Sequence, residues 1–93
     1  MDIKLYTTTG CFYCEKTKEL FKRANLKYES YEVIPQKNLQ DELPEGCMWK
    51  KDFRQIHPLA QAFPHVVIDG KEFMGLVEVA RYLLKEGLVS ASN

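Results

Sequence analysis

Apolar residues recur along this chain with two different periods. From Asp2 to Thr7, Ile3 and Leu5 alternate with Lys4 and Tyr6, the two-residue period of a strand with one buried face. The Thr-Thr-Thr-Gly stretch ending at Gly10 breaks it. From about Phe12 to Ala24 the period lengthens, with Cys14, Thr17, Leu20, Phe21 and Ala24 on one helical face and Asn25 as the stop. Lys27 to Ile34, rich in tyrosine and valine and bounded by Asn25 and Pro35, reads as a second strand. Strand, helix and strand in this order imply a right-handed crossover and parallel pairing.

The segment from Gln36 to Ala62 is the least periodic. Leu39, Leu43, Trp49, Phe53 and Ile56 suggest two short helical pieces broken near Pro44-Glu45-Gly46, and Pro58 stops or kinks the second. His65 to Ile68 is an apolar strand, Asp69-Gly70 a two-residue hairpin turn, and Lys71 to Met74 an antiparallel return. A last helix over Leu76 to Glu86 places Leu76, Val79, Ala80, Leu83 and Leu84 on one stripe, with Gly87 as its cap. The expected architecture is α/β: one domain over residues 1–93 with a central mixed sheet of four strands. The first and last helices should cover one face, the irregular middle segment the other.

Composition narrows the function classes. Apolar residues make up 45% and charged residues 28%, which suits a globular domain and excludes a disordered one. The 13 basic and 13 acidic residues cancel without forming a block of either sign, so neither nucleic acid nor a membrane surface is an expected partner. The alternation at Ile3 and Leu5 is unlike a signal peptide and no apolar run is long enough to span a bilayer, so the cytoplasm is the expected compartment.

Three cysteines make an odd number, which disfavours a secreted disulfide scaffold. Two of them, Cys11 and Cys14, form a Cys-x-x-Cys at the junction of a strand and a helix. Unpaired N–H groups and the positive helix end favour a thiolate at Cys11, lowering its pKa from the roughly 8.5 of a free thiol. Such a thiolate attacks an external disulfide, and Cys14, one turn on and further inside, displaces the product. Cys11 and Cys14 could instead be half of a zinc site completed by Cys47 and either His57 or His65. No second Cys-x-x-Cys or His-x-x-x-His supports that, and no metal site is expected. Cys47 is read as a small apolar residue, and Trp49, Phe53 and Tyr82 as core or its rim. His57 and His65 are read as structural or surface residues, because no further motif marks a Cys-His protease.

Thr9-Gly10-Cys11-Phe12-Tyr13-Cys14 resembles the active site of dithiol glutaredoxins, usually Cys-Pro-Tyr-Cys, with Tyr13 matching and Phe12 replacing the proline. Phe63-Pro64-His65-Val66-Val67-Ile68-Asp69-Gly70 is similar to the family's Thr-Val-Pro segment with its following strand and turn. In Phe73-Met74-Gly75-Leu76-Val77-Glu78, Gly75 keeps the second glycine of a Gly-Gly pair, Met74 replaces the first, and Glu78 stands at an aspartate. The chain departs from the family in carrying Thr7, Thr8 and Thr9 where many members have a lysine. The residue expected before Thr-Val-Pro also lacks a match, Gln61 being one position out of register and Arg54 recommended only by its charge.

The resemblance implies a thioredoxin fold, a cis peptide bond at Pro64 against the Cys11 sulfur, and a glutathione-dependent thiol–disulfide oxidoreductase. Cys11 and Cys14 would be catalytic. Tyr13, Phe63, Pro64, Gly75, Val77 and Glu78 would bind glutathione, a co-substrate rather than a tightly bound cofactor. Disulfide-containing proteins are the implied substrates, and a monomer is expected. The long middle segment is similar in proportion to phage-encoded members, which makes ribonucleotide reductase a candidate acceptor and a host cytoplasm the setting. Two rivals stand beside this: a thioredoxin-like reductant served by thioredoxin reductase, and a non-catalytic module holding an iron–sulfur cluster with glutathione.

Overall fold

In the computed structural model, which describes residues 1–89, the chain forms β1 (Ile3–Thr7), α1 (Phe12–Arg23), β2 (Glu29–Ile34), β3 (Cys47–Trp49), α2 (Lys50–Ile56), β4 (His65–Ile68), β5 (Lys71–Met74) and α3 (Gly75–Lys85). The five strands make one sheet in the order β3-β2-β1-β4-β5. β1 pairs parallel with β2, and β2 parallel with β3, while β4 lies antiparallel to both β1 and β5.

The alternation in β1 decides which residues face which layer. Ile3 and Leu5 point into a core with Phe21 of α1, Val66 and Ile68 of β4, and Val79 and Leu83 of α3, all buried. Tyr6 points to the other face, where it meets Val33 of β2 and Phe53 of α2. The first and last helices therefore share one face and α2 covers the other, as the apolar stripes require. This is the thioredoxin fold, built on a five-stranded sheet.

The strand count corrects the expectation of four. Cys47–Trp49 is a strand, its register running Glu32↔Cys47, Val33↔Met48 and Ile34↔Trp49. Three residues are too few to display an alternation, and the pairing that makes them a strand lies far away in sequence. The first of the two helical pieces is also absent. Leu39 is 92% exposed and Leu43 exposed too, so no core pulls that stretch into a helix. The second piece is real, as α2, with Phe53 buried.

Local chemistry sets the helix ends. At the C-terminus of α1, Leu26 donates its N–H to the Phe21 carbonyl at 2.9 Å and Asn25 donates to Lys22 at 3.1 Å, with Asn25 at φ 58. This is a Schellman cap with asparagine in the left-handed position. Asn25→Ala is expected to lower unfolding free energy by about 1 kcal/mol, the cost of a left-handed residue with an ordinary side chain. Urea melts of the two proteins measure it. At the β4–β5 turn Asp69 and Gly70 have φ 48 and 83, the type I′ geometry that Asp-Gly favours. The turn is latched to the chain start, Asp69 N–H donating to the Asp2 carbonyl and Asp2 N–H to Asp69 Oδ1, both at 2.8 Å.

Candidate functional site

Strand direction gathers the motif residues at one end of the sheet. β1 runs out at Thr7, and the loop through Gly10, at φ 70, turns the chain so that Cys11 opens α1. β4 is antiparallel to β1 with His65 opposite Tyr6, so Pro64, the residue before it, lies at this same end. β5 returns with Met74 opposite His65, and α3 begins at Gly75 beside it. The Gly75 N–H donates to the Pro64 carbonyl at 2.8 Å, joining the last two segments directly. The Phe63–Pro64 peptide bond is cis, as the resemblance implied.

Cys11 is the N-cap of α1. Its backbone is extended, at φ −91 and ψ 108, and its sulfur accepts the N–H of Cys14 at 3.1 Å. Serine or aspartate oxygens normally fill this role, satisfying one of the helix's orphan donors. A sulfur placed there is stabilised when it carries negative charge, by that N–H and by the helix end. Cys11 and Cys14 are joined in a disulfide. Cys11 is half-buried and Cys14 only 1% exposed, so an incoming molecule reaches the first sulfur and not the second.

The surroundings are apolar on one side and polar on the other. Phe12 and Tyr13, 64% and 60% exposed, stand out from the first turn of α1 with their rings edge to face at 5.4 Å, and Lys16 Nζ lies 5.3 Å from the Phe12 ring centre. Val77 and Met74 are exposed at the head of α3. On the other side of Cys11, a hollow of about 380 Å³ is lined by the three threonines, Gly10, Phe12, Glu15, Lys18 and Glu32. Thr9 donates its hydroxyl to Glu32 at 2.5 Å and Thr7 donates to the Tyr31 carbonyl at 3.5 Å. These two hydroxyls are thus engaged within the fold.

The other residues singled out by the resemblance lie around the same end of the sheet. Gly75 sits at φ 85, a conformation that glycine adopts without strain. Glu78 Oε1 accepts the N–H of Met74 at 3.3 Å, so one carboxylate oxygen caps α3 from within. Phe63 is half-buried with its ring 5.5 Å from that of Phe53, which leaves its backbone, rather than its side chain, at the sheet end.

The zinc alternative around the cysteines is not assembled. Cys47 is free on the edge strand β3, with β2 between it and β1. The histidines meet elsewhere: His57 Nδ1 and His65 Nε2 both contact Glu72 Oε1, at 2.9 and 2.8 Å. To their reading as structural or surface residues the structure adds a shared partner, Glu72. Burial pushes His65 below the ordinary histidine value, against the Glu72 hydrogen bond, which raises it. Partial desolvation raises the Glu72 carboxyl, but the hydrogen bonds from His65 and His57 and their charges outweigh it and hold the group below its ordinary value. The sequence held a signal for this cluster. A two-residue Asp-Gly turn fixes Val67 opposite Glu72 and His65 opposite Met74, so Glu72 and His65 are diagonal neighbours on one face.

A disulfide-forming cysteine pair at a helix mouth on this fold marks a thiol–disulfide oxidoreductase of the thioredoxin superfamily. The glutaredoxin family model matches residues 3–73, and the chain belongs to the glutaredoxin family. Among solved structures, a mutant of the thioredoxin-like protein BC3987 is 25% identical, covering 88% of this chain and 97% of its own, with a TM-score of 0.54. Glutaredoxin 1 from Francisella tularensis, solved with cacodylate, is 21% identical, covering 94% of this chain and 95% of its own, with a TM-score of 0.61. No curated protein sequence matches the chain. Among the described residues, no helix is long and apolar enough to cross a membrane.

Proposed function

We propose that this protein is a glutathione-dependent reductant of disulfides, working through Cys11 and Cys14 in a reducing cytoplasm. The observation that carries the reading is the placement of the Cys11 sulfur as the N-cap of α1, partly open to solvent, over a buried Cys14 already bonded to it. In the reduced protein the Cys11 thiolate attacks a disulfide, forming a mixed disulfide and releasing one thiolate. Cys14 then attacks the Cys11 sulfur, releasing the second and closing the intramolecular bridge. Two glutathione molecules return the pair to dithiol and leave as glutathione disulfide. Two electrons pass at each exchange, and no bound cofactor is required.

Tyr13, Phe63, Pro64, Gly75, Val77 and Glu78 form the proposed glutathione groove. An extended peptide would pair with the backbone before β4, and Tyr13 and Val77 would wall it. Disulfide-containing proteins, ribonucleotide reductase among them, are the proposed acceptors.

The decisive experiment is reduction of a glutathione mixed disulfide by wild type and Cys14→Ser, coupled to glutathione reductase. Turnover in both is expected, because a second glutathione can release the adduct from Cys11. No turnover in either would reject the glutathione groove. Met74 at the head of α3, in place of a glycine, and Glu78 occupied by the Met74 N–H favour a second reading with thioredoxin reductase as donor. Turnover with that reductase and none with glutathione would establish it.

A further inference from the structure

On the sheet face opposite α1 and α3, three potential metal ligands from three separate pieces of chain converge. His57 follows α2, His65 opens β4 and Glu72 lies in β5. One donor atom from each, two imidazole nitrogens and a carboxylate oxygen, lies within 4.8 Å of the others. The two nitrogens stand 2.9 and 2.8 Å from the same Glu72 oxygen, and the imidazole ring centres are 5.0 Å apart. Each nitrogen stands near 3 Å from the oxygen and no more than 4.8 Å from the other nitrogen, close enough for small side-chain rotations to bring all three onto one ion.

The surroundings favour an ion at that point. His65 is 1% exposed, and its other nitrogen, Nδ1, is buried without a hydrogen-bond partner. Without an ion the Glu72 carboxylate holds the ring proton on Nε2 and leaves Nδ1 as the orphan; an ion at Nε2 takes the place of that proton, which moves to Nδ1 or to solvent. Tyr6 and Phe53 collar the imidazoles, with ring centres 5.0 to 6.2 Å from their neighbours, and shield the site from water on the protein side. Glu72 remains 45% exposed, so ion and water can enter from the solvent side and supply a fourth ligand. Neither cysteine of the redox pair takes part.

We propose that His57, His65 and Glu72 bind one divalent transition-metal ion of the zinc class, clamping the end of α2 to the β4–β5 hairpin. Two imidazoles and one carboxylate with an open position suit such a borderline ion, whereas magnesium and calcium prefer oxygen donors. The ion ties together segments far apart in sequence, and its binding stabilises the folded chain by mass action.

The test uses the full chain with the Cys11–Cys14 disulfide kept oxidised and Cys47 replaced by alanine, so that no thiolate can compete for metal. Cobalt(II) is titrated as the spectroscopic probe. One equivalent should bind with visible d–d bands and no thiolate-to-cobalt charge-transfer band, and zinc should raise Tm by on the order of 5 °C. Glu72→Gln and His57→Gln, both at positions outside the core, should weaken cobalt binding by about a hundredfold and remove the zinc-dependent rise. Melting of the variants without metal shows that they fold. Absence of binding at millimolar metal, or binding unchanged in folded Glu72→Gln and His57→Gln, would overturn the site.

Discussion

Replacing Cys11 by serine is expected to abolish disulfide reduction, lowering the rate on the order of 10⁴-fold or more, the scale lost when a covalent nucleophile is removed. The hydroxyl keeps the N-cap hydrogen bond to Cys14, so the helix and the fold survive while the attacking atom does not. Turnover of a glutathione mixed disulfide, followed by glutathione reductase, reads the effect, and circular dichroism checks the fold. Retention of wild-type turnover in Cys11→Ser would reject the assignment of roles to the two sulfurs. Comparison with Cys14→Ser makes the result sharper, because on the proposed mechanism that variant is expected to lose the dithiol route and to keep monothiol chemistry with glutathione.

A second large effect is expected in the core. Phe21 is fully buried in α1 among Ile3, Leu5, Val66, Ile68, Val79 and Leu83, with its ring 5.2 Å from that of Tyr28. Phe21→Ala removes the apolar contacts and leaves a cavity between α1 and the sheet, a change costing about 3–5 kcal/mol. Domains of this size have roughly 5–15 kcal/mol of stability in all. The loss should therefore lower Tm by roughly 15–30 °C. Leu39→Ala is the control: Leu39 is 92% exposed, and the change should stay within about 0.5 kcal/mol. Equal melting of the two variants would mean that the core is wrongly located.

The elements legible in the sequence are those whose signals are local. The alternation of Ile3 and Leu5, the helical spacing of Cys14, Thr17 and Phe21, and the Asp69-Gly70 turn each reflect a contact within a few residues, and each has its element in the structure. The middle segment failed on distance. Cys47-Met48-Trp49 is an apolar triplet compatible with helix or strand, and only pairing with Glu32–Ile34 decides between them. Leu39 and Leu43 have helical spacing, but spacing alone cannot show that a core lies opposite. The convergence of Cys11, Pro64 and Gly75 at one sheet end came from motif resemblance, and the strand register explains it. The meeting of His57 with His65 and Glu72 stayed hidden because α2 brings His57 there from outside the hairpin.

The two outer strands of the sheet are unlike the inner ones, and this bears on how the molecule behaves in a crowded solution. An unpaired strand edge is a template on which another chain can add, the first step towards ordered aggregates. β3 offers only three residues of such an edge, and an irregular stretch of chain leads directly into it. β5 has four residues, and its exposed Lys71 and Glu72 place charges of both signs where an approaching strand would have to lie. The three-residue strand that went unread in the sequence thus covers the Glu32–Ile34 half of an edge that β2 would otherwise expose along all six of its residues, and it gives this small fold a partial defence against polymerising through its own backbone.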